Sequence, residues 1–321
     1  MSMQLARPVV LEQAAQEFAD ATAQPPPLHE LTPAAARKVL DDVQAAPIEK
    51  LPVDDEWVTV PVAVGDVRVR IVRRAGSTGP LPAVLYMHGG GWILGNAGTH
   101  DRLVRELAVG ADAAVVFVEY DRSPESTYPV ALEQGYATAQ WIAREGAAHG
   151  LDGSRIAVAG DSVGGNMAAA LALMAKHRGD VRFVHQSMYY PVTDGAMDTA
   201  SYREFATGYF LTAKTMAWFW DAYVPEVGLR SAVTASPLRA SHDQLAGLPP
   251  AFVAVDEADV LRDEGEAYAA KLRAAGVPVT TVRYDGIIHD FMMLNPLSGT
   301  NATRSAVAQA TSVLRGALGT G

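Results

Sequence analysis

Short apolar runs separated by helix-length segments constrain this chain more than any other feature. "AVLYM" (83–87), "AAVVFV" (113–118), "RIAVA" (155–159), "FVHQSMYY" (183–190), "AFVAVD" (251–256) and "VTTVRY" (279–284) are each long enough for one strand. Continuous apolarity, in place of alternation, marks strands buried on both faces, as in a parallel sheet covered by its crossover helices. Helical patterns fall between or after these runs at about 100–110, 130–149, 163–177, 263–275 and 301–316. Residues 56–73, "EWVTVPVAVGDVRVRIVR", instead alternate on either side of Gly65-Asp66, which predicts a β-hairpin with one buried face. Residues 9–46 predict two helices broken by "QPPPLHELTP", with Thr32 as N-cap and Pro33 in the first turn of the second.

The fold class expected is therefore α/β. A length of 321 residues suits one large unit of this kind with an extension or lid. Segment 192–248 is too long for a simple connection, and its "FATGYFLTAKTMAWFWDAY" (205–223) is dense in aromatics, as expected of an insertion that covers a site. A net charge of −10 without a Lys/Arg cluster argues against nucleic acid or anionic membrane as partner, and favours a neutral small molecule. The absence of cysteine removes disulfides, a thiolate nucleophile and cysteine-based metal sites together. The start "MSMQLARPVVLEQAAQEFAD" turns polar by Glu12, and no apolar run approaches the roughly 18 residues of a membrane span, so a soluble, cytoplasmic protein is expected.

The chemistry enters at "GDSVGGN" (160–166), directly after the run 155–159 and before the small-residue stretch "MAAALALMA". Gly160-x-Ser162-x-Gly164 between a strand and a helix is the setting of a nucleophile elbow, in which a tight turn lifts Ser162 to the sheet edge beside a helix N-terminus. A serine hydroxyl needs a base, and the base needs an orienting group. In such folds the acid and then the histidine follow on loops after later strands. "EADVLRDEG" after the run 251–256 offers Glu257, Asp259 and Asp263, and "DGIIHDF" after the run 279–284 offers His289. His29, His149, His177, His185 and His242 read as solvated or structural, and His100 as part of a helix start. "YMHGGGWILG" (86–95) supplies bare backbone after a strand, where the N–H groups of Gly90 and Gly91, with that of Val163, could hold an oxyanion. His88 reads as a holder of that loop by hydrogen bonding.

Together "HGGGW", "GDSVGG", "EADVLRDEG" and "GIIHDF" resemble the hormone-sensitive-lipase-like family of α/β-hydrolase carboxylesterases, and the resemblance extends over nearly the whole chain. It implies an α/β-hydrolase fold, a mostly parallel sheet flanked by helices, with a helical cap. It implies Ser162, Asp259 and His289 as catalytic triad, and Gly90, Gly91 and Val163 as oxyanion hole. The cap would comprise residues 1–50 and the inserted segment 192–230, and the core residues 51–191 and 231–321. Three positions depart from the family pattern: Val163 where alanine is usual, "YDRSPE" at 120–125, and Val260 after the acid. The first two bear on substrate choice more than on chemistry.

The function expected is a serine carboxylesterase acting on short-chain acyl esters through an acyl-enzyme, needing no cofactor and no metal. Trp92, Tyr190, Phe205, Tyr209, Phe210 and Trp218 are candidates for the substrate pocket. The partner expected is a small-molecule ester, with a homodimer left open and neither nucleic acid nor a membrane span involved. An amidase or formamidase on the same triad is the alternative, and a non-catalytic receptor is disfavoured by the presence of His289. No His/Asp cluster shows metal-ligand spacing. "HGGGWILG" also lacks the spaced glycines of a dinucleotide site.

Overall fold

The computed structural model describes residues 9–321, so residues 1–8 of the expected cap lie outside the described residues. The chain begins with α1 (Gln13–Thr22) and α2 (Pro33–Gln44). As the sequence indicates, Thr32 caps α2, its hydroxyl accepting from the Ala35 N–H at 3.3 Å, with Pro33 at the first helical position. β1 (Val53–Val60) and β2 (Val67–Arg74) form the antiparallel hairpin, in register from Val53 opposite Arg74 to Val60 opposite Val67. Gly65, at φ 122°, supplies the turn conformation that a side chain disfavours.

There follow β3 (Leu81–Met87), α3 (Asp101–Ala111), β4 (Ala114–Glu119), α4 (Val130–Glu145), β5 (Leu151–Asp161), α5 (Val163–Arg178) and β6 (Phe183–Tyr189). The long insertion carries α6 (Ala200–Glu204), α7 (Ala213–Tyr223) and α8 (His242–Leu245). The chain then returns to the sheet with β7 (Ala251–Ala258), α9 (Arg262–Ala274), β8 (Val279–Ile288) and α10 (Asn301–Leu318). The strands form one eight-stranded sheet in the order β1-β2-β4-β3-β5-β6-β7-β8. Only the β1/β2 and β2/β4 pairs are antiparallel.

Every apolar run of the sequence is a strand. Most extend beyond their runs, β5 and β8 by the most residues, because exposed or half-exposed positions interrupt the apolar pattern there. β5 begins at Leu151 with the half-exposed Asp152–Arg155, and β8, at the sheet edge, continues through exposed Asp285 to buried Ile288. Ala83–Met87 of β3 are wholly buried, and so is the first part of α5, where Ala168, Ala169 and Ala170 allow close approach to β5 and β6. α3 packs on α10, and α4 on α5. The carboxyl ends of five successive strands, β3, β5, β6, β7 and β8, thus meet along one edge, where α/β sheets hold their ligands.

Candidate active site

Ser162 stands between the end of β5 and the start of α5 at φ 55°, ψ −120°, a region that L-residues occupy only when the surroundings impose it. The surroundings do so with three backbone bonds. The Ser162 N–H donates to Tyr189 O (2.8 Å), and the Ser162 carbonyl accepts from Asn166 N (3.1 Å) and Val192 N (3.2 Å). The flanking glycines are steric requirements: a Cβ on Gly164 would run into the Met87 carbonyl, and one on Gly160 into the backbone of Gly164.

The loops after β7 and β8 bring two more groups to this turn. His289 Nε2 lies 2.9 Å from Ser162 Oγ, and His289 Nδ1 lies 2.8 Å from Asp259 Oδ2. The other Asp259 oxygen accepts the Leu261 N–H at 3.0 Å, which fixes the carboxylate plane. With its proton on Nδ1, a neutral imidazole so placed accepts the serine proton on Nε2. Ser162 is 3% exposed, His289 2% and Asp259 1%, so these contacts are made almost without water. Burial disfavours the imidazolium, but the charges of Asp259 and Asp290 outweigh it and raise the His289 pKa above the ordinary histidine value.

The other acids of this stretch are engaged elsewhere. Glu257 accepts the Gly286 N–H (2.8 Å). Asp263 accepts the Ser201 N–H of α6 (2.8 Å) and pairs with Arg262. The α9 helix begins one residue earlier, with Leu261 at its N-cap and no side-chain cap bond.

After β3 the chain passes His88 and the glycines. Gly89 donates its N–H to Asp161 (3.1 Å), whereas no backbone acceptor among the described residues takes the N–H of Gly90, Gly91 or Val163. Gly90 and Gly91 adopt φ 105° and 62°, and a Cβ on Gly91 would overlap the ring of Phe219. Unpaired N–H groups beside a hydroxyl at a helix N-terminus can stabilise a developing oxyanion.

A buried network behind this loop carries no obvious sequence signal. Asp161 accepts from Tyr86 Oη (2.6 Å) and pairs with His100 Nε2 (3.2 Å), all three side chains being fully buried. Burial pushes the Asp161 carboxyl up, but the His100 charge and the hydrogen bonds from His100 and Tyr86 outweigh it and hold the acid ionised. His100 is raised in turn, because Asp161 outweighs its desolvation. His88, by contrast, is held neutral: burial, and then the His100 charge, lower its pKa to about 3. Its Nδ1 donates to Gly89 O at 2.8 Å, and its ring stacks on Tyr120 at 4.2 Å.

The sequence profile of the α/β hydrolase fold matches residues 84–293, nearly two thirds of the chain. The chain belongs to that family. Among solved structures it is similar to a thermostable esterase from Pseudomonas putida, with TM-score 0.95 and 48% identity, covering 97% of this chain and 98% of that one. It is also similar to an esterase from Rhizomucor miehei (TM-score 0.91, 39% identity, 97% and 98% covered). Among characterised sequences, the carboxylic ester hydrolase LipN of Mycobacterium tuberculosis is 37% identical over 266 residues, 81% of this chain and 70% of that one. The motif resemblance to hormone-sensitive-lipase-like carboxylesterases is thereby borne out, and the chain is a carboxylic ester hydrolase of that group.

The aromatic residues of this hydrolase divide by position. Tyr190, at φ 38° after β6, sets its ring edge-on to His289 with centroids 5.1 Å apart. Trp92 stacks on Tyr223 (4.1 Å) and tilts against Trp220 (5.0 Å). Phe205 packs on Tyr209 (5.1 Å) and lies under Arg262. Phe210 meets Phe18 of α1 (5.2 Å), and Trp218 meets Phe219 (5.2 Å). Of these candidate pocket residues, Tyr190 is the one whose ring pairs with that of His289 among the described aromatic contacts. Among the aromatics of the insertion, it is Phe219 of α7 whose ring lies against Gly91 of the glycine loop, a choice that helical spacing alone does not show.

Proposed function

We propose that the protein hydrolyses small acyl esters through an acyl-enzyme, with Ser162 as nucleophile, His289 as general base and then acid, and Asp259 as orienting group. The observation that carries this reading is His289 bridging Ser162 at 2.9 Å and Asp259 at 2.8 Å. His289 takes the hydroxyl proton as Ser162 Oγ attacks the ester carbonyl. The oxyanion is received by the N–H groups of Gly90, Gly91 and Val163, and the proton passes to the leaving alcohol. Water then repeats the sequence on the acyl-serine.

The cap in this reading is built from the helices before residue 50 and the inserted segment 192–230. Phe18 on Phe210 joins the two parts, and Phe219 of the insertion lies on the glycine loop. The near-complete burial of Ser162 favours a short acyl group over a long fatty chain.

The test is Ser162→Ala, which should lower kcat by about three to six orders of magnitude while the fold persists. An organophosphonate should label Ser162 alone. A well-folded, active Ser162→Ala variant overturns the reading. Asp259→Asn should lose far more turnover than Glu257→Gln, since Glu257 holds the Gly286 amide and lies outside the relay.

A further inference from the structure

A buried acid lies behind the orienting aspartate and has no role in the reaction described above. Asp256, near the end of β7, is 0% exposed, and neither of its carboxyl oxygens has a hydrogen-bond donor among the described residues. One carboxyl oxygen of Asp256, one of Asp259 and one ring nitrogen of His289 all lie within 4.8 Å of one another. The titratable groups facing it are Asp259 on the loop after β7 and His289 on the loop after β8, with Tyr190 after β6 within its electrostatic reach. It belongs to no ion pair between described residues. A carboxylate in such a place would be desolvated, unpaired and pressed against a second carboxylate.

We infer that Asp256 carries a proton and donates it in a hydrogen bond to the Asp259 carboxylate, as a positioning residue behind the Ser162–His289–Asp259 relay. The inference rests on that relay being the catalytic one. Asp259 has lone pairs to spare, since each oxygen is known to accept only one bond, from Leu261 N and from His289 Nδ1. Two carboxyl groups sharing one proton is the arrangement that like charges at this distance adopt. Burial and the neighbouring Asp259 both push Asp256 well above the usual carboxylate range, which agrees with the geometry.

The proton has a consequence for the base. Were Asp256 ionised, the imidazole would face its negative charge in addition to those of Asp259 and Asp290, and would stay imidazolium, unable to accept the serine proton. A neutral Asp256 leaves one carboxylate to orient His289, holds that carboxylate by one more hydrogen bond, and keeps the base titratable.

The experiment compares pH profiles of kcat/KM for the wild type, Asp256→Ala and Asp256→Asn, each checked by thermal unfolding, with Ser162→Ala as control. Asp256→Ala should lower kcat by about 10- to 100-fold, by releasing the Asp259 carboxylate. Asp256→Asn, a neutral donor of the same shape, should restore most of that loss and leave the acidic limb in place. If Asp256→Asn instead moves the limb down by about one unit or more, Asp256 was ionised and the inference is wrong. It is equally wrong if folded Asp256→Ala keeps wild-type kcat and pH profile.

Infrared difference spectra of wild type against Asp256→Asn in weakly alkaline buffer decide the case even if the alanine variant does not fold. A protonated-carboxyl C=O band lost in the variant supports the inference, and no difference there overturns it. An active Ser162→Ala would sink the relay itself, whereas an inactive Ser162→Ala with a shifted Asp256→Asn limb sinks only the role of Asp256.

Discussion

Asp290 Oδ1 lies 3.4 Å from His289 Nε2, the same nitrogen that faces the Ser162 hydroxyl. Asp290 is held at φ 63°, and its own carbonyl accepts from Met293 N (2.9 Å) and Leu294 N (3.0 Å), so the contact is fixed by the loop. Burial raises the Asp290 pKa to about 6, and above that pH the group places a negative charge beside the base.

The acidic limb of activity should therefore lie above the ordinary histidine range. The sign follows from the base. In the proposed relay only neutral His289 accepts the serine proton, and desolvation of the ring is outweighed by Asp259 and Asp290, so its pKa rises. Activity is then lost as pH falls through that raised value. Asp290→Asn removes one of the charges and should shift the limb of kcat/KM down by about one unit. A limb that stays put would show that Asp290 does not bear on the base.

The Gly91 backbone and the Phe219 ring cannot both stay in place once a methyl group is added between them. With Gly91 as an oxyanion donor, as proposed, Gly91→Ala should lower kcat by about 10²- to 10³-fold. Gly91→Ala combined with Phe219→Ala should recover part of it. Alanine at φ 62° alone costs only about 1–2 kcal/mol, so the ring overlap is the larger obstacle. Steady-state kinetics of the two variants separate the steric from the backbone cause.

The buried His100–Asp161 pair makes a stability prediction. Removing one partner of a fully buried pair leaves the other charge uncompensated, which costs about 3–5 kcal/mol. His100→Ala should show that loss in its urea midpoint. Because Asp161 also holds the Gly89 N–H, a drop in kcat should accompany it. An unchanged midpoint would mean that the pair is neutral in the folded protein.

The N-terminal helices bear on the site through named bonds. Arg37 of α2 donates to Ile93 O (2.8 Å), and Gln44 donates to Met293 O (2.8 Å) and accepts from Asn295 N (2.8 Å), tying down the segments that follow the glycine loop and His289. Deleting residues 1–45 should lower kcat/KM on nitrophenyl esters and relax the acyl-length preference. In the full chain kcat/KM should peak at about two to six acyl carbons. A steady climb beyond that, at up to about 0.8 kcal/mol per methylene, would mean an open tunnel.

How much of this was legible in the sequence follows from the range of the forces involved. Strand and helix identities are written locally, because burial on both faces forces continuous apolar runs such as "AVLYM" and "AAVVFV". Thr32-Pro33 and Gly65-Asp66 carry their cap and turn in two adjacent residues. The identity of the candidate site residues was legible for a related reason: a serine in a glycine-flanked turn, and a glycine triplet after a strand, leave few other uses for residues that cost backbone entropy. What only the tertiary structure decided concerns pairs distant in the chain. Nothing near His100 announces Asp161, nothing near Asp263 announces Ser201, and the 3.6-residue period of α7 does not tell which of Trp218, Phe219 and Trp220 meets Gly91. Asp256 is the sharpest case. In the sequence it is only the last residue of "AFVAVD", and its charge becomes untenable only when the sheet places it beside Asp259 and seals out water. Desolvation and Coulomb interaction act through space, so they are set by the packing and not by the neighbours along the chain.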